Sequence, residues 1–352
     1  MNKEELEAVV KGYGEVPVVS EKDLSGNDYR GADLGGGMFH KVKFCNADLS
    51  GSFLKECNFA DCDFTGACLD ECDLTMASFI NPVAENIRVN NAVMCFSNFI
   101  DGNFQHAVFT ASSMQNTNFV NPDFQHANLG QIKTENTNFL NGKFQNCDFS
   151  NSEHFRPNFI EPELENTVFS GSILNIAFFL KPMFAGYDFS DIQLIMCQFQ
   201  QADLSGAVFR GLDISQCGFS EARLSGADFS GAIANNCLFI KAELKGSSFA
   251  GAALKQALFL EADTTACDFS HAKMEQALFV KARCENALFT GADLTYADFS
   301  HADLCRADFS YTQLYRANLH RIKEEQTVWT GSTKSAALST DAKKAKAEDF
   351  KC

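Results

Sequence analysis

The stretch Gly291-Ala292-Asp293-Leu294-Thr295-Tyr296-Ala297-Asp298-Phe299-Ser300-His301-Ala302-Asp303-Leu304 decides the fold. In fives it reads Ala, Asp, Leu or Phe, then two polar or small residues. Taking the large apolar residue as the centre of each five, the count runs outward in both directions without a change of phase. It passes through Leu24, Tyr29, Leu34 and Phe39 near the start and Phe309, Leu314 and Leu319 near the end. By count there are 60 pentapeptides over residues 22–321 of the 352-residue chain. The centre departs from a large apolar residue only at Ala84, Thr134, His154, Ala234, Thr264 and Cys284. Two positions before each centre the residue is small, as at Ala32, Ala47, Ser52, Cys57 and Ala67.

A period of five fits neither the 3.6 of an amphipathic helix nor the alternation of one strand. It fits a chain that turns a corner every five residues and sends one large and one small side chain inward per side. Four sides close a coil of 20 residues, and stacked coils bury a core that no single coil could bury. About 15 such coils at about 4.8 Å each predict a rod of roughly 70 Å. Centres alternate between Leu-type and Phe, as in Leu244, Phe249, Leu254 and Phe259, so opposite sides are expected to carry the rings. The 35 Phe against one Trp are then core plugs rather than a binding surface.

This pattern resembles the pentapeptide-repeat family, and the resemblance implies an all-β fold, a right-handed quadrilateral β-helix. The expected organisation is an N-terminal cap over 1–21, the repeat β-helix over 22–321, and a C-terminal cap or tail over 322–352. In the first segment Asn2 and Glu5 form a capping-box pattern ahead of Leu6, Val9 and Val10, with Gly12, Gly14 and Pro17 ending the helix. In the last, Trp329 is expected to plug the final coil, and the stretch Thr340–Phe350 reads as a short N-capped helix. The coils from about residue 82 to 200 are the least regular, with Pro at corners and oversized Ile87, Ile132, Tyr187 and Ile192 at small positions. A bulge or bend is expected there, around His154-Phe155-Arg156-Pro157.

Composition bounds the function. Net charge is −16 and the pI about 4.8, which argues against direct nucleic-acid binding. No run of 18 apolar residues predicts a membrane span, and the acidic start Met1-Asn2-Lys3-Glu4-Glu5 is no secretory leader, so a cytoplasmic location is expected. Eight of the 14 Cys (Cys57, Cys62, Cys72, Cys147, Cys197, Cys217, Cys237, Cys267) hold the small inward position, which reads as packing by reduced thiols. No Cys-x-x-Cys pair, P-loop, Gly-x-Gly-x-x-Gly, His-Glu-x-x-His or Gly-x-Ser-x-Gly occurs, and a filled coil has no cavity for converging groups. His106 and His126 would stack at an outer corner whose column otherwise holds Asn46, Asn86 and Asn146, so they read as turn residues. The Asp preceding many centres reads as turn support. No enzyme activity, metal or cofactor is expected.

One outward column is unlike the others. The residues just after the centres read Ile80, Ile100, Val120, Leu140, Ile160, Leu180, then Gln200 and Ser220, then Ile240, Leu260 and Val280. Leu238, Leu258 and Leu278 join the second run, and Asn98, Asn118, Asn138 and Asn158 flank the first. β-Propensity alone would favour aliphatic residues on all four sides, and only one has them. These twelve aliphatic residues are the candidate protein-binding site, for a partner, a second copy, or the tail folded back. The leading reading is a rigid scaffold or adaptor. The alternative is a DNA mimic acting on a type II topoisomerase, since some members of the resembled family are acidic rods that bind gyrase. A net −16 over roughly 70 Å gives about one charge per 4–5 Å, against one per about 1.7 Å on duplex DNA. Finally, residues 336–350 resemble the tails of pentapeptide-repeat proteins associated with bacterial type VI secretion, which implies a bacterial host and a secretion-system component or effector as partner.

Overall fold

In a computed structural model, residues 1–12 and 18–350 are described. Gly14 and Pro17, expected to end the first helix, lie outside them. The chain forms two compact units, Met1–Pro182 and Met183–Cys352. Each is a β-solenoid of parallel rungs.

In the first unit nine three-residue strands, from Val18–Ser20 and Met38–His40 to Asn158–Ile160 and Phe178–Leu180, pair in parallel with partners 20 residues apart. The first unit thus holds nine rungs at the 20-residue spacing, a count that covers only part of the residues for which the sequence suggested about 15 coils. A second parallel sheet in this unit is built from Ser113–Gln115, Lys133–Glu135, Glu153–Phe155 and Ile173–Asn175. The expected bulge at His154 is absent, because His154 pairs in register with Thr134 on one side and Leu174 on the other. What distinguishes this region is longer strands on a second side, not a slipped register. In the second unit, parallel bridges 20 residues apart run from Met183–Asp203 to Asn318–Leu338.

The five-residue period works through the corners. The residue two after the centre sits at positive φ at nearly every corner, from Glu161 at 48° to Gly36 at 73°. Gly suits that conformation, and Asn tolerates it better than other residues. At ordinary corners the following amide closes a turn, as Ala32 does onto the Tyr29 carbonyl at 2.9 Å. The Asp before the centre completes the corner by accepting from the residue after it: Asp48 takes the Ser50 amide at 3.0 Å and its hydroxyl at 2.6 Å. These carboxylates are turn parts, as their repeat position implies.

Inside, rings stack rung upon rung. In the second unit Phe209, Phe229 and Phe249 lie 4.7 Å apart in one column, and Phe219, Phe239 and Phe259 follow at 5.2 and 4.9 Å in the opposite one. The two columns meet edge to face, the arrangement that the ring quadrupole favours. In the first unit the second column moves to a neighbouring side, so Phe39 meets Phe44 edge-on at 5.6 Å. The small inward positions are not merely apolar. The Cys57 thiol donates to the Leu34 carbonyl at 3.0 Å, and Cys237 and Cys267 do the same to Ile214 and Leu244 at 2.9 Å. Ser52 and Ser247 use their hydroxyls identically. Burial pushes the Cys57, Cys72 and Cys237 thiols up to about 12, so they stay protonated donors.

The first helix, α1 (Lys3–Val10), carries the expected capping box between Asn2 and Glu5. It buries Leu6 and Val10, and Glu7 accepts the Asp33 amide at 2.9 Å, satisfying a backbone donor of the first coil. At the other end Trp329 stacks on Phe309 at 4.6 Å, with the Lys334 ammonium over its outer face at 4.2 Å.

His154 is the misfit of this core. It is 1 % exposed, its Nδ1 lies 2.9 Å from the Thr134 hydroxyl, and its Nε2 has no hydrogen-bond partner. Burial pushes its pKa down from 6.5 to about 3. The ring is therefore neutral when folded, while the unfolded chain takes up a proton below pH 6.5. Stability contributed by the neutral ring is full above pH 6.5 and is lost as the pH falls towards 3. A Thr134→Val/His154→Leu double variant, which removes both polar partners together, is expected to gain about 1–3 kcal/mol at neutral pH. It should also show a flatter decline between pH 6.5 and 3 in urea unfolding followed across pH.

Candidate functional site

The aliphatic column forms within each unit as its spacing implies. In the first unit Ile80, Ile100, Val120, Leu140, Ile160 and Leu180 pair in register on consecutive rungs. All six are half-buried, because each side chain covers its neighbours above and below. Along one flank the amides of Asn98, Asn118, Asn138 and Asn158 form a ladder, each donating to the one before it at 2.7–2.9 Å. On the other, Asn141 donates to Asn121 at 3.1 Å and Asn121 to Asp101 at 2.8 Å. The amides are thus spent on each other and frame a dry stripe. At about 4.8 Å per rung, six rungs make it roughly 25 Å long.

Two residues beside this stripe escaped the sequence reading. Met76 and Phe96 are each 51 % exposed, on the rungs of Ile80 and Ile100. They occupy the corner position that Gly and polar residues fill at most other corners, at φ of 60° and 59°. A large apolar side chain held in the left-handed region and left in solvent, twice in consecutive coils, was the available signal.

In the second unit Leu238, Leu258 and Leu278 bridge in register, and Ile240, Leu260 and Val280 follow each of them by two residues. These six are also half-buried. Beside the leucines runs a groove of about 460 Å³ walled by Asn236, Gln256 and Gln276, with Gln256 donating to Gln276 at 2.7 Å.

One acidic column of the second unit is paired from rung to rung. Arg223 reaches Asp203 at 2.6 Å, Arg283 reaches Asp263 at 3.2 Å, and Lys323 reaches Asp303 at 3.1 Å. For Asp203, partial burial works against the charged form, but hydrogen bonds from Ser205 and the Arg223 charge outweigh it and hold the carboxyl below its ordinary range.

One cluster of metal-type donors occurs among the described residues: His301, His320 and Glu348, with ligand atoms within 4.8 Å of one another. The Asp341 amide donates to His320 Nδ1 at 3.2 Å, which leaves the proton on Nε2, facing Glu348 at 3.1 Å. That nitrogen has no lone pair to give a cation. His301, Arg321 and Lys344 lie 3.5, 3.4 and 3.8 Å from the same carboxylate. The surroundings suit an anion, so the cluster is a seat for Glu348. It docks the terminal helix α2 (Ala342–Glu348), whose N-cap is Asp341. His106 and His126 stack at 5.0 Å on a corner, a pair without a third ligand beside it among the described residues. No helix among the described residues is long and apolar enough to cross a membrane.

A family model of pentapeptide repeats in eight copies matches residues 38–75, 188–226, 222–259, 267–304 and 282–321. The chain is a pentapeptide-repeat protein. No curated protein matches the sequence. Among solved structures, the pentapeptide-repeat protein Rfr23 from the cyanobacterium Cyanothece 51142 is 24 % identical over 30 % of this chain and 63 % of its own, less than two thirds of its length, with a TM-score of 0.20. HetL, a pentapeptide-repeat protein involved in heterocyst differentiation regulation in Nostoc sp. strain PCC 7120, is 18 % identical over 97 % and 98 % of the two chains, with a TM-score of 0.16. The plasmid-mediated fluoroquinolone resistance protein QnrB1 is 16 % identical over 71 % and 94 %, also at 0.16. Superpositions at these scores carry nothing about function.

The clasp on α2 depends on pH. The His320 hydrogen bond outweighs partial desolvation and, with the weaker His301 and Lys344 charges, holds the Glu348 carboxyl below its ordinary 4.5. Its charged form is the docked one, so docking is full above pH 4.5 and is lost as the pH falls through the depressed value. Protection of the Ala345–Glu348 amides, taken relative to intrinsic exchange at each pH, is expected to fall on acidification below pH 4.5, and Glu348→Gln should show that lower protection already at pH 7.

Proposed function

We propose that this pentapeptide-repeat protein is a non-enzymatic scaffold or adaptor that binds a protein partner through its aliphatic face. The observation that carries this reading is the six-rung stripe Ile80–Leu180, confined to one side of the first unit. Contiguous apolar surface of this kind on a soluble protein marks an interaction site more often than chance exposure. Met76 and Phe96 widen it at one end, and large, partly exposed aromatic side chains are the ones that anchor interfaces. The inward groups named above are occupied by packing and hydrogen bonding, which leaves the surface to do the work.

The second reading is the acidic DNA mimic that binds a type II topoisomerase. Its support is the net charge of −16. The rung-to-rung ion pairs at Asp203, Asp263 and Asp303 count against it, because they neutralise acids of one column that would have to imitate phosphate. A role in handling a secreted cargo rests on the composition of residues 336–350 alone.

The test is affinity capture from host lysate with wild type beside Ile100→Lys/Leu140→Lys, paired with a gyrase supercoiling assay. The scaffold reading expects one defined protein, held by wild type and reduced at least about tenfold in the variant, a loss of about 1.4 kcal/mol. Supercoiling should be unaffected by either form. Inhibition of supercoiling equal in both would establish the mimic instead.

A further inference from the structure

We propose that the aliphatic block of the second unit, Leu238, Ile240, Leu258, Leu260, Leu278 and Val280, is a seat for an amphipathic α-helix of a partner protein, laid in line with α2. The proposal rests on the reading that this face binds protein, and it names the kind of element bound.

The face already holds a helix. Thr340 continues the column of the block and accepts the Arg321 amide at 3.0 Å; from there α2 turns back over the same side. Its start is fixed at His320 by the Asp341 amide, and Arg321 donates to the Ala345 carbonyl at 2.7 Å. Its last residue, Glu348, reaches His301, one rung nearer the block than His320. The helix thus lies over the rungs of His320 and His301, and the rung of Val280 and Leu278 is the next one. Phe350, just beyond it, is 79 % exposed.

Geometry selects among occupants. A strand cannot add here, because the backbone of the block is committed to neighbouring rungs. The Leu258 amide binds the Cys237 carbonyl at 2.9 Å, and the Leu258 carbonyl takes the Phe239 amide at 2.7 Å. The occupant must bring a backbone that satisfies itself, as a helix does. A flat face of a second copy laid along the same axis is held off by α2. Sheets pack about 10 Å apart, and a helix with its side chains is itself about 10 Å thick. A partner helix lies at the height of α2 and meets no such obstacle. Its repeat also fits: a turn rises about 5.4 Å and a rung about 4.8 Å, so across three rungs the two drift by only about 1.2 Å. Apolar residues at i, i+3 or i+4, and i+7 can thus fall between successive rungs.

Charge sets the orientation. The column bordering the block reads Lys241, Glu261, Lys281, His301, Arg321. α2 meets its end of that column with acids, Glu348 on His301 and Asp349 on Arg321. Lys281 is turned to Glu261 at 3.9 Å, while Lys241 has no ion pair among the described residues. A partner helix that follows the same rule carries Glu or Asp on the flank facing Lys241.

The probe is a fluorescein-labelled 14-residue helical peptide with Leu at positions 1, 4, 8 and 11 and Glu along one flank, titrated with the full chain and read by fluorescence anisotropy. The expected result is saturable binding that falls about tenfold in Leu258→Lys and in Leu278→Lys, and about threefold in Lys241→Glu. A peptide with Lys in place of Glu should restore binding to Lys241→Glu. Equal binding of a Leu-scrambled peptide, no saturation with wild type, or no effect of Leu258→Lys would each overturn the proposal. So would a sedimentation dimer of the wild type that Leu258→Lys abolishes, since a second copy would then be the occupant. None of these results bears on the Ile100/Leu140 capture, so the general reading stands or falls separately.

Discussion

Everything in this chain depends on the contact between one rung and the next. Backbone amides bind carbonyls about 20 residues away, and rings settle upon rings at 4.5–5.4 Å in the second unit, close to the rung spacing itself. That contact favours a large inward residue at the centre and a small one two positions earlier, and all but a few sites follow it. The preference explains the composition: many Phe, small residues in strict phase, and Asp or Asn at the corners. It also explains why cysteine is used freely. The small inward site can hold Ala, Ser, Thr or Cys, and the last three return a hydrogen bond to a carbonyl of the preceding coil.

Much of this was legible in sequence because the repeat is strict. The centres, the small positions, the capping box at Asn2, the Trp329 plug and the short N-capped helix near the end all follow from residue type and position. The division at Pro182 was not legible, since the phase of the repeat does not change there. The region around His154 was misread for a related reason. An unusual residue at a centre suggested a broken register, whereas backbone pairing is indifferent to one polar ring that finds Thr134 one rung away. The coincidence of His301, His320 and Glu348 was hidden too, because Glu348 lies outside the repeat and its place depends on how the tail turns back. Met76 and Phe96 were passed over because apolar residues were sought only beside the centres, while corner residues were taken as turn parts.

For function, the consequence of a filled core is that chemistry moves to the outside. Four sides are available, and the ion pairs and amide ladders described above lie beside a single aliphatic column. In each unit that column is a flat, rigid row rather than a pocket. Binding there would rest on shape and dehydration, with side chains already ordered by their neighbours, so that little conformational entropy is lost on association. The docking of α2 is an intramolecular example on the same side: carboxylates against His301, His320 and Arg321, and a helix lying over the rungs.

The most direct test of the central claim places a photo-crosslinking residue on the aliphatic column at Leu140, and the same residue at Gln145 on the neighbouring side, and irradiates each in the host cell. The account predicts one defined protein adduct from position 140 and none from position 145. Adducts of the same identity and yield from both positions, or from position 145 alone, would contradict it.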